Sequence, residues 1–226
     1  MHQRSTVSTV AIHRLVEEHA ATRGGVAAIV DRDRALSYRE LNHAANAVAR
    51  LLMARGFRRG AHACVRMPRG AELAVVLLAV LKGGGCYTWS DPARGESECP
   101  PGLSLRPVPP EPRRGAVGPA GPSGAFPATG ERHLPLDVTA AIDDRTQASP
   151  NLPVVSRGSD TACVLQDGDG APVVLVPHAT IAALRSRAVT HPTSWRGDAG
   201  AFDLWMALMA GTTAVVEEPV VRVVAA

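Results

Sequence analysis

The sequence contains a single lysine, Lys82, and the other 23 of its 24 basic residues are arginine. Any mechanism that needs two lysines is therefore excluded. Aromatic residues make up only 4% of the 226 residues, and the formal charge of +3 is small and scattered along the chain. Such a charge gives no basis for binding nucleic acid or a membrane surface.

Paired cysteines and long apolar runs are also absent. The four cysteines, Cys64, Cys86, Cys99 and Cys163, show neither a CxxC pair nor the spacing of zinc ligands, which favours reduced cytosolic thiols over a disulfide frame or a metal site. The longest apolar run, residues 73–81, is too short to cross a bilayer, and no signal-peptide core follows Met1. The sequence therefore predicts a cytoplasmic protein with no metal and no membrane contact.

Residues 1–92 alternate between predicted strands and helices. Ser37 and Glu40 form the Ser-x-x-Glu pattern of a capping box, which predicts a helix over 38–55. Residues 71–82 are apolar on nearly every side, as in a fully buried helix. The other predicted elements are a helix over 10–22 and strands over 26–30, 35–37, 62–67 and 86–89. This alternation indicates an α/β fold with mainly parallel sheets flanked by helices.

The composition changes after Pro92. Residues 93–131 are rich in proline, glycine and arginine and have almost no apolar periodicity, so they cannot bury enough surface to offset the entropy of ordering them. We therefore expect a disordered or loosely draped insert over 93–133, between an N-terminal part (1–92) and a C-terminal part (134–226). In the C-terminal part we predict helices over 138–144, 179–188 and 202–210, a loop over 191–200 and a strand over 212–216.

The stretch from Asp160 to His178 has the order strand, Gly-rich turn, strand, helix. The turn contains Asp167-Gly168-Asp169-Gly170. Glycine permits positive φ and close approach of a ligand, so such a turn can bring backbone N–H groups to a phosphate. A plain β-hairpin with a DG-type turn explains the same pattern without a ligand.

Three blocks in order carry a family resemblance. They are LSYRELN at 36–42, LKGGGCY at 81–87 running on to Asp91-Pro92, and the stretch that ends VPH at 176–178. Together they resemble the N-terminal half of an adenylation domain of a nonribosomal peptide synthetase. The segment from Phe202 to Gly211 resembles the next block of that family, whereas the insert has no counterpart.

The resemblance implies part of the large subdomain of an adenylate-forming enzyme. This superfamily activates a carboxylic acid with ATP, giving an acyl-adenylate and pyrophosphate, and passes the acyl group to a carrier thiol. It thus implies ATP with magnesium as cofactors wherever activity is present, and synthetase subunits or carrier proteins as partners. The later blocks of the family, which include a second lysine, are not among these 226 residues.

The resemblance also implies site residues. Gly168 and Gly170 match glycines of the phosphate loop, and His178 matches the histidine after the next strand, so these three are the candidate cofactor-binding residues. Asp203 matches the acidic residue that binds the α-amino group of the substrate. The family's loop lysine is missing, because Val173 stands at its approximate position, and we assign no catalytic residue.

Each of these residues has a simpler explanation. His178 fits a packed or surface histidine, Asp203 fits a helix N-cap, and Lys82 fits a cation at a helix C-terminus. Asp167 and Asp169 fit a solvated turn better than a calcium loop, since Pro172 stands where an EF-hand needs glycine.

Three classes of function follow. The first is an adenylation-like fragment that forms no acyl-adenylate alone and acts, if at all, in docking or structure. The second is an ATP-dependent ligase complemented by a partner chain, and the third is an unrelated α/β binding module. The missing lysine and missing later blocks favour the first. A partial domain of this kind is also expected to expose apolar side chains over 204–209 and 220–224.

Overall fold

Six helices and ten strands make up the part of the chain that the computed structural model describes, namely residues 10–32, 34–92, 103–107, 132–136, 138–144, 149–153, 156–165, 174–184, 193–195 and 201–216. The helices are α1 Ile12–Thr22, α2 Tyr38–Ala54, α3 Ala71–Lys82, α4 Val138–Asp143, α5 His178–Ala183 and α6 Phe202–Ala210. The strands are β1 Ala27–Asp31, β2 Arg34–Ser37, β3 His62–Arg66, β4 Cys86–Ser90, β5 Leu103–Pro107, β6 Arg132–Leu136, β7 Thr161–Leu165, β8 Val174–Pro177, β9 Thr193–Trp195 and β10 Ala214–Val216.

The described strands form two mixed sheets. One has the order β2-β1-β10-β9 and the other β6-β5-β3-β4-β7-β8. Most neighbouring strands are parallel, whereas β2 and β8 lie antiparallel to their neighbours at the sheet edges. The α/β class is confirmed, with mixed rather than purely parallel sheets. Both sheets combine strands from the early and late parts of the chain.

Helix α3 lies at the centre of the core. All of its residues except Glu72 are buried, which confirms the interpretation of its all-round apolar sequence. Its first turn is held by Asp31, whose Oδ2 accepts a hydrogen bond from the backbone N–H of Ala71 at 3.0 Å. Helices α1 and α2 pack against α3, and their apolar faces belong to the same core cluster.

The predicted capping box at the start of α2 is present. The hydroxyl of Ser37 accepts a hydrogen bond from Glu40 N at 3.3 Å, and Glu40 Oε2 accepts one from Ser37 N at 2.9 Å. Two N–H groups that the helix leaves without intrahelical partners are satisfied in this way.

Removal of this cap gives a first prediction. Ser37→Ala is expected to lower the free energy of unfolding by about 1 kcal/mol, because Glu40 N loses its acceptor. Urea unfolding followed by circular dichroism measures the change, with Ser159→Ala on an exposed turn as the matched control. Equal stability of the two variants would contradict the prediction.

Three expectations about local structure are wrong. The segment predicted to be an unstructured insert contains β5, which pairs in register with β3, and its last residues belong to β6. The sequence Leu103-Ser-Leu-Arg has a short period-two pattern between prolines, and four or five such residues suffice for a ladder. The predicted loop over 191–200 likewise contains β9, and the rest of the insert lies outside the described residues.

The third correction concerns the cysteines. Cys64 in β3 is disulfide-bonded, so the expectation of reduced thiols fails there, while Cys86 and Cys163 are free thiols. Spacing along the sequence gives no measure of how close two thiols lie in space, which decides whether they can be bridged. No helix in the described ranges is long and apolar enough to cross a membrane.

The apolar face expected over 204–209 is not exposed. Leu204, Trp205, Leu208 and Met209 are completely buried, because α6 packs against α1, α5 and β10. The other expected segment, 220–224, lies outside the described residues. Large exposed apolar side chains instead include neighbouring residues of the edge strand β8, where Val174 is 54% and Leu175 61% exposed.

Candidate functional site

The hairpin predicted around the Gly-rich turn is confirmed in its strands. β7 and β8 pair antiparallel, with a register shift between Thr161 and Cys163. β7 also lies parallel to β4, through Tyr87 and Cys163. The connecting residues 166–173, and with them Gly168 and Gly170, lie outside the described residues. Strands β7 and β8 and the start of α5 form the frame that carries this loop.

The histidine at the end of this frame is packed in the interior. His178 begins α5 and is 1% exposed. Its Nδ1 accepts a hydrogen bond from the backbone N–H of Ile12 at 3.3 Å. That N–H belongs to the first turn of α1, whose N-cap residue Ala11 offers no side-chain acceptor. His178 therefore holds α5 against the start of α1, and this contact requires its Nδ1 to be unprotonated.

A second buried histidine lies beside it. The ring of His13 on α1 meets that of His178 edge-on, with centroids 5.8 Å apart. Burial lowers the pKa of His13 to about 3, with smaller contributions from the charges of His178 and Lys82. Burial also lowers the pKa of His178 to about 4, and the nearby carboxylate of Asp160 opposes that shift. Both imidazoles are neutral near pH 7.

Asp203 is the second residue of α6 and is half-buried. The N-cap position belongs to Ala201, which has a positive φ of 59°, so the N-cap explanation of Asp203 is wrong. Its carboxylate lies in the first helical turn, where the helix dipole favours negative charge.

The far end of α6 is held by neighbouring helices. Gly211 ends the helix at φ 72°, a conformation that favours glycine. Its carbonyl accepts a hydrogen bond from Arg23 at 2.5 Å, and the carbonyl of Met209 lies 3.0 Å from His19 Nε2. The hydroxyl of Tyr38 donates to the carbonyl of Thr212 at 2.7 Å. These contacts set the position of the helix that carries Asp203.

The helices that carry His178 and Asp203 are neighbours, but the polar contacts of His178 run to other parts of the chain. Helix α5, with His178, packs against α6, with Asp203. The polar contacts of His178, however, run to Ile12 and to the backbone carbonyl of Asp160. Its ring lies in the α1–α5 contact and not at an open surface.

The single lysine is buried in an ion pair. Lys82 is the last residue of α3, and its side chain has no solvent exposure. Its Nζ donates a hydrogen bond to Glu17 Oε1, and Asn151 Oδ1 lies 3.5 Å away. Burial lowers the pKa of Lys82, and the Glu17 carboxylate opposes that shift. The expectation of a cation at a helix terminus is correct in position, but this cation is paired inside the protein.

A polar stripe on α2 was not predicted from the sequence. Asn42 Nδ2 donates to Asn151 Oδ1 at 2.9 Å, and Asn46 Nδ2 donates to the carbonyl of Ser149 at 2.8 Å. Arg50 donates to the hydroxyl of Ser149 at 2.6 Å. These three residues recur every four positions and therefore share one helix face. Two asparagines four positions apart in α2, on the side that carries its apolar residues, were the available signal.

Sequence comparison finds a matching family model and a set of similar proteins. Residues 16–100 match the family model described as AMP-binding enzyme. The chain is 31% identical over 220 residues to surfactin synthase subunit 2 of Bacillus subtilis, which covers 89% of this chain and 6% of that protein. It is 43% identical over 86 residues to tyrocidine synthase 3 of Brevibacillus parabrevis, which covers 38% of this chain and 1% of that protein. The chain thus spans a small fraction of the length of these relatives.

Solved structures show the same fold. The N-terminal subdomain of NpsA from Klebsiella oxytoca, bound to 3-hydroxyanthranilyl-AMSN, superposes with a TM-score of 0.68 at 21% identity, over 92% of this chain and 54% of that one. The nonribosomal peptide synthetase FmoA3 superposes with a TM-score of 0.71 at 23% identity, over 96% and 24%. An artificially fused adenylation–PCP di-domain, NpsA-ThdA from Klebsiella oxytoca, gives a TM-score of 0.68 at 18% identity, over 93% and 40%.

Proposed function

From the premise that this chain is an adenylation-domain-like fragment of the nonribosomal peptide synthetase type, we propose that it forms no acyl-adenylate by itself. Its role is then non-catalytic, as a docking or structural element in nonribosomal peptide biosynthesis. The family resemblance implies the general chemistry, and the residues of this chain depart from it.

The observation that carries the proposal is the location of Lys82. Acyl-adenylate formation needs positive charge preorganised at the phosphates of ATP, and the resemblance assigns this task to a lysine of the phosphate loop. Lys82 is the only lysine in the sequence. It is paired with Glu17 inside the protein, without exposure to solvent, and is therefore unable to reach a bound nucleotide without breaking the core.

The loop sequence supports the same proposal. Val173 stands at the approximate position of the family's lysine, and Asp167 and Asp169 add negative charge among the residues that would approach the phosphates. Loss of one charge-assisted hydrogen bond costs about 1.5–3 kcal/mol of binding free energy. Ligand binding by Gly168, Gly170, His178 and Asp203 remains a prediction.

Amino-acid-dependent pyrophosphate exchange tests the proposal. The purified chain with ATP and Mg²⁺ is expected to give no exchange above a no-enzyme control with any common amino or aryl acid, while an active adenylation domain assayed in parallel does. Exchange that is clear and is lost in Asp203→Ala would overturn the proposal, because that loss would assign the activity to this chain.

A second candidate is an ATP-dependent ligase completed by a partner chain, and β8 is the observation that favours it. Successive side chains of a strand point to opposite faces, so Val174 and Leu175 expose apolar surface on both faces at the start of this edge strand, whereas Val176 is buried. The partners we propose are synthetase subunits or carrier proteins, in line with the fused adenylation–PCP structure. Exchange that appears only on addition of such a protein would favour this candidate.

A further inference from the structure

A cleft between α2 and α4 lies apart from the frame of the Gly-rich loop. It has a volume of about 510 Å³, which is within the usual range of small-molecule sites. Methyl groups of Ala47 and Ala141 line it, together with the ring of Pro150, while Arg50 and Asp144 supply charge. Small apolar groups beside a few polar ones are typical of a ligand site.

Arg50 is oriented by hydrogen bonds to its own helix and to residues 149 and 150. Its Nη1 donates to the carbonyl of Asn46 at 3.3 Å and to the hydroxyl of Ser149 at 2.6 Å, and its Nη2 donates to the carbonyl of Pro150 at 2.5 Å. A guanidinium has five N–H donors. Within the described residues, Arg50 thus retains Nε–H and one Nη2–H, the number of donors that a bidentate contact with an oxyanion needs.

This geometry holds the guanidinium before a ligand arrives. One hydrogen bond to Asn46 of the same helix and two to residues 149 and 150 restrict the Arg50 side chain, so less entropy is lost when an anion binds. Asp144 also lines the cleft. The alanine methyl groups and the proline ring provide the apolar surface.

We infer that this cleft binds a small monocarboxylate with a compact apolar body. The carboxylate is held by Nε–H and Nη2–H of Arg50, and the apolar body lies over Ala47 and Pro150. The site rests on residues other than those of the proposed adenylation-like function, so either can fail without the other.

Titration of the full chain with benzoate, followed by ligand-observed NMR, tests the inference. Benzoate is expected to bind with a Kd on the order of 1 mM, as its size allows, and benzyl alcohol, which lacks the carboxylate, at least about tenfold more weakly. Arg50→Gln is expected to weaken benzoate binding at least about tenfold. Ala47→Leu, at an exposed helical position, is expected to weaken benzoate binding by occupying the space over Ala47, without lowering the thermal unfolding midpoint.

The matched control is Arg55→Gln, which removes an exposed arginine near the end of α2 that does not line the cleft. It is expected to leave benzoate binding unchanged. Absence of benzoate binding would overturn the inference, as would equal weakening by Arg50→Gln and Arg55→Gln. Inorganic phosphate binding as tightly as benzoate, and lost in Arg50→Gln, would also overturn it, because the site would then select an oxyanion irrespective of an apolar body.

Discussion

Lys82→Met is expected to lower the free energy of unfolding by about 3–5 kcal/mol, the usual cost of removing one partner from a buried ion pair. The reason is the fate of Glu17, which is 6% exposed and loses its closest cation. Arg14 lies 3.1 Å from the other carboxylate oxygen but is 46% exposed, so it compensates only in part. The cost is that of an uncompensated carboxylate among apolar helices.

A double-mutant cycle separates this effect from simple loss of packing. Lys82→Met, Glu17→Gln and the double variant are compared by urea unfolding followed by circular dichroism. The double variant is expected to be more stable than Lys82→Met, because no uncompensated charge is left buried. Two single effects that simply add, or a cost of less than about 1 kcal/mol for Lys82→Met, would contradict a coupled buried ion pair between Lys82 and Glu17.

Acid is expected to destabilise the fold well before its carboxylates are protonated. The pKa values of His13 and His178 are lowered to about 3 and about 4 in the folded chain, from 6.5 in the unfolded chain. The unfolded chain therefore binds more protons between these values. The stability that the neutral imidazoles contribute is fully present above pH 6.5 and is lost as the pH falls towards 4. Each histidine adds a slope of about 1.4 kcal/mol per pH unit in that window.

Urea unfolding at a series of pH values between 4 and 7.5 measures this slope. His13→Leu is expected to reduce this slope by about 1.4 kcal/mol per pH unit, the contribution of one histidine. It is expected to preserve stability at pH 7, because His13 Nδ1 is buried with no hydrogen-bond partner among the described residues. Burial also lowers the pKa of the partly buried His62, which adds to the wild-type slope. His43→Gln, at a half-exposed position, is the matched control for loss of an imidazole. The same change of slope in both variants would contradict the assignment to His13.

Much of the helical structure could be predicted because its signals are local. The capping box of Ser37 and Glu40, the all-round apolar sequence of α3 and the glycine after α6 each depend on a few neighbouring residues. β5 and β9 were missed because a short strand is stabilised by its partners, and those partners lie far away in the sequence. The antiparallel edge strand β8 could be predicted as half of a hairpin, because its partner β7 lies close to it in the sequence.

The site was less accessible to sequence reasoning than the fold. The family pattern identifies His178 and Asp203 as candidates, but whether a side chain is open to a ligand depends on what packs on it. His178 is covered by α1, an element that begins 166 residues earlier. The pairing of Lys82 with Glu17 likewise depends on how α1 crosses α3. Side-chain burial between distant elements has no local signal.

The pairing of β1 with β10 has a consequence for the order in which the protein folds. Ile29 pairs with Ala214, and the hydroxyl of Thr213 bonds to the carbonyl of Ala27, a residue 186 positions away. A polypeptide leaves the ribosome from its N-terminus, so β1 is synthesised long before the strand that completes its sheet. Contacts of such long sequence separation slow folding because the loop must close first. Part of the apolar surface of the early helices therefore stays uncovered until residues 202–216 have been synthesised, which is the interval in which chaperones bind and aggregation begins.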